Sequence, residues 1–318
     1  MILVLAAAVV AAIALPHVLH LERVAPLTAA ALWGTALGLR AVTGVFAAIY
    51  LIFYLPATDL FTALTHWCWH TILPVAATHL GVNGHRVGDA VTVLPSVLLA
   101  ASVVSIAVGV YRAARSVSGL IRRGRLGDGP GDSVIIGGPD VVLAAAGISR
   151  PRIVVSAGAL LALDDAELAA GIAHERGHIA RRHRFVSMYA ELCRALGRFL
   201  PGTTAAAHAL AFHLERDADA WALARRSDRY ALASAICKAA VSQRTSPAMA
   251  SLGGGEVRAR VDELVSAPVL VTGWRARALN VAAVLGAVLL LALTAAVPAT
   301  LAAGPVAASA PDVAQCEA

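Results

Sequence analysis

Apolar runs, uncharged except for Arg40 in the second, fall at about 2–19, 33–55, 91–111 and 279–297, and a mixed, charge-bearing stretch lies between the last two. A helix needs roughly 20 apolar residues to cross a hydrocarbon core, so each run is a candidate span. The first has no Lys or Arg ahead of it and no small-residue cleavage site, which favours an uncleaved anchor over a signal peptide. The second contains one charge, Arg40, expected to snorkel along its apolar stem toward the nearer surface. Residues 60–84 are also uncharged, but His66, Trp67, Trp69, His70 and His79 suit a segment on the outer surface better than a fifth span. The pattern predicts a mainly α membrane protein of about four transmembrane helices, with an α+β domain inserted between the third and fourth. The regions are 1–111 for the first three helices, 112–276 for the insert, 277–300 for the fourth helix and 301–318 for a short outer tail.

Composition agrees: 58% hydrophobic and 14% charged residues exclude both an ordinary soluble globule and a disordered chain. The arginines orient it. Arg112, Arg115, Arg122, Arg123 and Arg125 follow the third run, Arg23 precedes the second, and Arg275 and Arg277 precede the fourth. The positive-inside rule puts all of them in the cytoplasm, with both termini outside and the insert cytoplasmic. Membrane lipid is an expected partner, and the basic run after the third span suits anionic headgroups. Lys238 is the only lysine, and no direct nucleic-acid binding is expected. Cys68, Cys193, Cys237 and Cys316 show no CxxC spacing. The topology places Cys193 and Cys237 in the reducing cytosol, and Cys68 and Cys316 outside, where a disulfide can persist.

Within the insert, residues 124–140 read as a Gly/Pro-punctuated linker without the GK[ST] of a phosphate loop. RIVVS at 152–156 reads as a short strand whose Ile153, Val154, Val155 and Ser156 are candidates to pair with an extended substrate. Asp164 with Glu167 resembles a capping box that starts the next helix. That helix contains His174-Glu175-Arg176-Gly177-His178, the HExxH pattern. Positions four apart on a helix lie about 40° apart, so both imidazoles face one zinc ion. Glu175 sits about 100° round, placed to act on the attacking water as general base rather than to ligate.

A third ligand is needed. The extended metzincin pattern fails, because its Gly and His would fall at Arg181 and Arg184, with His183 one residue off register and the helix expected to run on. A second helix over 204–226 carries Glu215 and Asp219 on one face. Glu215 is the expected third ligand, and Asp219 the acceptor for a ligand imidazole's other N–H. His208, on the zinc face, and Tyr230 are weaker candidates for a transition-state donor; His213 points away from Glu215 as a packing residue.

The order of spans, the strand RIVVS, the helix ELAAGIAHERGH, the pair in ERDAD and the closing anchor resemble the M56 metallopeptidases, the family of the BlaR and MecR antibiotic sensor-transducers. The resemblance implies a gluzincin-type domain, a cytoplasmic active site and cleavage of a cytosolic regulatory protein such as a transcriptional repressor. Those receptors carry a penicillin-binding sensor domain after the last span, which has no counterpart in 301–318. The chain is also similar to the M48 group, which includes the CAAX prenyl proteases and shares HExxH and ExxxD. That resemblance implies a quality-control protease for membrane proteins. M48 enzymes place membrane spans between the two motifs, whereas 179–214 carries Arg181, Arg182, Arg184, Glu191, Arg194 and Arg198. A non-catalytic receptor or scaffold is the third possibility, and the intact Glu175 argues against it.

Overall fold

Pro26 sets where the second helix begins, since its fixed φ suits a first helical position and its missing N–H has no partner there to lose. In the computed structural model, which describes residues 2–54, 58, 97, 100–109, 111–112, 124–147, 150–244, 254–266 and 270–302, this helix (α2) runs Pro26–Ile49 and continues as a π-turn, Tyr50–Tyr54. It starts ahead of the expected 33 because Ala29, Ala30 and Leu32 find buried packing there. The preceding α1 is Ile2–Val18, α3 is Ala100–Gly109, and the closing α10 is Gly273–Ala302. His66 to His79, Cys68 and Cys316 lie outside the described residues.

Among the described residues α2 and α10 are long and apolar enough to cross a membrane, which suggests membrane association; α1 and α3 are shorter. The two long helices run parallel. Val271 N–H donates to the Arg23 carbonyl at 2.8 Å near their starts, Thr28 Oγ1 donates to Asn280 Oδ1 at 2.7 Å, and Tyr54 O–H reaches the Thr300 carbonyl at 3.2 Å near their ends. α10 leaves Val281, Val284, Leu285, Val288 and Leu291 each more than half exposed. A continuous apolar face of that kind suits an apolar medium or an apolar partner.

α2, by contrast, is wrapped by protein. Helices α6 (His183–Leu196) and α7 (Thr203–Leu223) form a hairpin along it. Tyr189 O–H donates to the Gly34 carbonyl at 3.0 Å, and a Cβ at Gly44 would stand 2.3 Å from the Leu196 carbonyl oxygen. Leu32, Trp33 and Leu37 of α2 share one core with Cys193, Leu210, Leu214 and Ala283. The hairpin turn, 197–202, closes on Arg40. That residue does not snorkel: it is 3% exposed, its Nε donates to the Pro201 carbonyl and its Nη1 to the Ala36 carbonyl, both at 3.3 Å, and its Nη2 lies 2.7 Å from His17 Nε2. The turn supplies an acceptor that a lone apolar helix lacks, so burial is tolerated.

The remaining elements form a four-stranded sheet backed by helices. Strands β1 (Arg125–Asp128), β2 (Val134–Ile136), β3 (Leu143–Ala146) and β4 (Arg152–Ser156) lie in the order β1-β2-β4-β3. Residues 124–140 are thus largely a hairpin rather than a linker: Gly131 at φ 65 makes its turn, and Val134 and Ile136 are buried. β4 forms as expected but lies inside the sheet, parallel to β2 and antiparallel to β3. Both of its edges are occupied, so Ile153 to Ser156 have no main-chain edge for a substrate; among the described residues the sheet edge beside the helices belongs to β3. Helix α4 (Ala157–Ala162) follows, then α5 (Asp165–Ala180), started by a complete Asp164–Glu167 capping box. Helices α8 (Arg229–Arg244) and α9 (Gly254–Ser266) complete the group.

Candidate metal centre

α5 carries His174, Glu175 and His178, and α7 carries Glu215 and Asp219. The two helices pack closely because Gly177 presents no side chain where the α7 backbone passes: a Cβ there would meet Ala218 Cα at 3.2 Å. α5 stops at Ala180 instead of running on. Arg182, at φ 57, takes the left-handed conformation, and α6 leaves in a new direction from His183.

The structure brings His174, His178 and Glu215 together, with one potential ligand atom from each lying within 4.8 Å of the others. His174 Nε2 and His178 Nε2 are 3.1 Å apart, and each is 3.4 Å from a Glu215 carboxylate oxygen. A tetrahedral zinc with bonds of about 2.0–2.1 Å would set its ligands about 3.3 Å apart. The second nitrogen of each ring is engaged elsewhere. His174 Nδ1 lies 2.8 Å from Asp219 Oδ1, and His178 Nδ1 lies 3.0 Å from His183 Nδ1. His174 Nδ1 faces a carboxylate and His178 Nδ1 faces another imidazole, so with both Nε2 atoms free of protons two lone pairs and a carboxylate converge on one point, a cluster that a cation satisfies. The donor set therefore fits zinc.

Glu175 is not in this trio. Its Oε2 accepts the Ala145 N–H of edge strand β3 at 2.6 Å, which holds the carboxylate in the cleft beside the imidazoles. Burial raises its pKa, against the pull of His174, His178 and that N–H. Burial would also raise Glu215, yet its contacts with both histidines and Arg260 hold it well below the usual range. For His174 burial works downward, and Asp219 and Glu215 overcome it to push the ring up to about 9, so a metal binding through Nε2 would displace a proton there.

Two groups outside the HExxH and ExxxD motifs complete this arrangement. Arg260 of α9 reaches both acids: Nη1 lies 2.9 Å from Glu215 Oε2, while Nε and Nη2 each donate to Asp219 at 2.8 Å. His183 is the other, its Nε2 standing 3.1 Å from Asp217 Oδ2. Only a known break at Arg182 would have brought His183 back onto His178. One helical turn from Arg260, Glu263 accepts from Arg216, whose Nη2 also donates to the Glu22 carbonyl just ahead of α2. The metal centre thus sits at the α2 end that carries Arg23.

His208 and Tyr230 are exposed, and neither lines the cleft of about 310 Å³ around the imidazoles. His208 is two helical turns, about 10 Å, from Glu215 along α7, beyond side-chain reach. The cation that does line the cleft is Arg184, whose buried Nε has no hydrogen-bond partner among the described residues. His213 is buried against Arg216.

The model of peptidase family M48 matches residues 114–271. The match indicates a zinc metallopeptidase, and since M48 peptidases are zinc-dependent the cofactor is Zn2+. It does not single out the M56 family. The charged segment 179–214 between the two motifs forms the end of α5, α6 and the first part of α7, with the α6–α7 hairpin packed along α2. No curated protein and no solved structure matches.

Proposed function

We propose that the chain is an integral-membrane zinc endopeptidase of the HExxH, gluzincin type that cuts protein substrates at the cytoplasmic face of the membrane. The observation that carries it is the convergence of His174 Nε2, His178 Nε2 and the Glu215 carboxylate with both Nδ1 atoms turned away onto other partners. These three residues hold the metal, and Asp219 orients His174. Zinc bound there supplies Lewis acidity toward a water molecule and a peptide carbonyl. Glu175 accepts the water's proton on Oε1, its Oε2 being fixed by Ala145 N–H, and returns it to the leaving nitrogen. Arg184 offers a cation to the substrate carbonyl.

In β3, Ala145 turns its main chain away from β4, since its N–H reaches Glu175. Leu143, two residues earlier, faces the same way, leaving its N–H and C=O and the Ala145 C=O for an extended substrate. A further cavity of about 690 Å³, lined by Arg152 and Arg176, adjoins the cleft at Pro151 and Ile179 and gives that substrate room.

Arg23, Arg275 and Arg277 lie at the shared start of α2 and α10, which supports a cytoplasmic assignment for that end and for the metal centre beside it. With α2 spanning, the hairpin turn at Arg40 reaches about 20 Å along it from Pro26 and so enters the membrane. The M48 match and this hairpin favour membrane-protein substrates, as in quality control. Cleavage of a soluble regulator such as a repressor is the second reading, and it rests on the M56 resemblance.

The test uses full-length protein in detergent. One zinc per chain is expected, and Glu175→Gln should keep the metal while lowering peptide hydrolysis by at least about a hundredfold, the scale of general acid–base catalysis. Full activity in that variant would exclude the mechanism.

A further inference from the structure

His183 is 4% exposed and Asp217 is 4% exposed, so the contact between them is shielded from water. Asp217 is further anchored by Arg181, whose Nε lies 3.3 Å from the same Oδ2. The two rings His178 and His183 meet edge to face, with centroids 4.9 Å apart and Nδ1 atoms 3.0 Å apart. Hydrogen-bond polarity then leaves one neutral arrangement. A carboxylate only accepts, so the proton of His183 sits on Nε2, facing Asp217. Its Nδ1 is therefore a bare acceptor, and the contact with His178 requires the proton on His178 Nδ1. That places the His178 lone pair on Nε2, the atom 3.1 Å from His174 Nε2 and 3.4 Å from Glu215.

We propose that His183, held by Asp217, is a positioning residue that fixes His178 as the tautomer able to ligate the metal through Nε2. The inference rests on His178 being a metal ligand, as proposed above. It explains why a histidine one residue off the extended zinc-binding register is buried here: it does not touch the metal but backs a residue that does. Asp219 does the same for His174 directly, so the two ligand imidazoles are oriented by different devices. His174 has a carboxylate, and His178 a carboxylate relayed through a second imidazole.

The test compares zinc affinity, by chelator competition on the full-length protein, in His183→Leu and His183→Gln. Leucine preserves apolar packing and removes the acceptor, so binding should weaken roughly ten- to a hundredfold, the usual cost of losing an outer partner of a metal ligand. Glutamine can accept from His178 through its carbonyl and donate to Asp217 through its amide, so binding should stay within about threefold of the unmodified protein. A purely structural role predicts the reverse ranking, with leucine benign. A leucine variant that binds zinc normally, while His178→Ala loses it, overturns the relay alone. Zinc retained in His178→Ala overturns the ligand assignment and the relay with it. If either His183 variant fails to fold, 15N-histidine spectra of the unmodified zinc-loaded protein decide: His183 should carry its proton on Nε2 and His178 on Nδ1, and a proton on His183 Nδ1 refutes the relay.

Discussion

The two ends of the α6–α7 hairpin are held by opposite kinds of interaction. At the metal end nearly every contact is directional: Asp219 to His174, Arg260 to Asp219 and Glu215, His183 to Asp217, Arg216 to Glu263 and to the carbonyl of Glu22. At the turn, the hairpin lies against α2 through glycines, with Gly44 under Leu196 and Gly197 under Arg40, and one buried cation supplies the polar contacts. The difference separates two roles on one pair of helices. Chemistry depends on which atoms face each other at one end, and attachment to α2 depends on how closely backbones approach at the other. Substitutions at the metal end should therefore abolish function and spare the fold, and substitutions at the turn should do the opposite.

The largest effect is expected from Glu215→Ala, which removes a charged metal donor and leaves Arg260 facing Asp219 alone. The variant should lose zinc and essentially all proteolysis, while far-UV circular dichroism of the detergent-solubilised protein stays unchanged. Retention of zinc would break the comparison at its stronger end.

Gly44→Ala probes the other end. Its Cβ would fall 2.3 Å from a main-chain carbonyl, which cannot swing aside as a side chain can. Overpacking of this kind costs about 1–3 kcal/mol, and the upper end is expected here because the obstacle is backbone. The melting temperature should fall, and zinc affinity measured well below it should not. Loss of zinc at that temperature would mean that the two ends are not separable.

Much of the metal end was legible in the sequence because helix geometry is local. HExxH fixes the angle between His174 and His178, and the ExxxD spacing fixes that between Glu215 and Asp219, whatever surrounds them. What failed depended on distant chain. The strand at Arg152–Ser156 was recognisable by its β-branched residues, but its interior place follows from β2, hidden in a Gly-rich stretch read as linker. Arg40 looked like a snorkelling charge because the Pro201 carbonyl that satisfies it is remote in sequence. Arg260 was invisible for the same reason, and His183, legible only as a histidine off the extended register, could not be placed because one left-handed residue, Arg182, redirects the chain.

Arg260→Ala sharpens the comparison from within the metal end, since Arg260 contacts both Glu215 and Asp219 without contributing a metal donor. Without it, Glu215 and Asp219 lose their shared cation and the carboxylates repel. Zinc affinity should drop about ten- to a hundredfold, as for other outer partners of metal ligands. Arg260→Lys, which supplies charge but not the two-pronged geometry, should recover only part of it. Full recovery by lysine would show that charge alone matters.

The smallest effect concerns pH and lies between the two ends, at His213. Burial, and then the Arg216 guanidinium 3.0 Å from its Nδ1, hold its pKa down to about 4, against 6.5 for an unconstrained histidine. Between those values the unfolded chain binds a proton that the folded one refuses, so stability contributed by this residue is complete above about pH 6.5. It falls as pH drops toward 4, by at most about 1.4 kcal/mol per pH unit. His213→Gln keeps an acceptor for Arg216 and removes the titration. Its melting temperature should decline less than that of the unmodified protein between pH 7 and pH 5, with the difference confined to that window. Other acids titrate equally in both proteins, so the difference isolates His213. Identical declines would show that His213 is protonated without cost, and that the polar network does not extend this far from the metal.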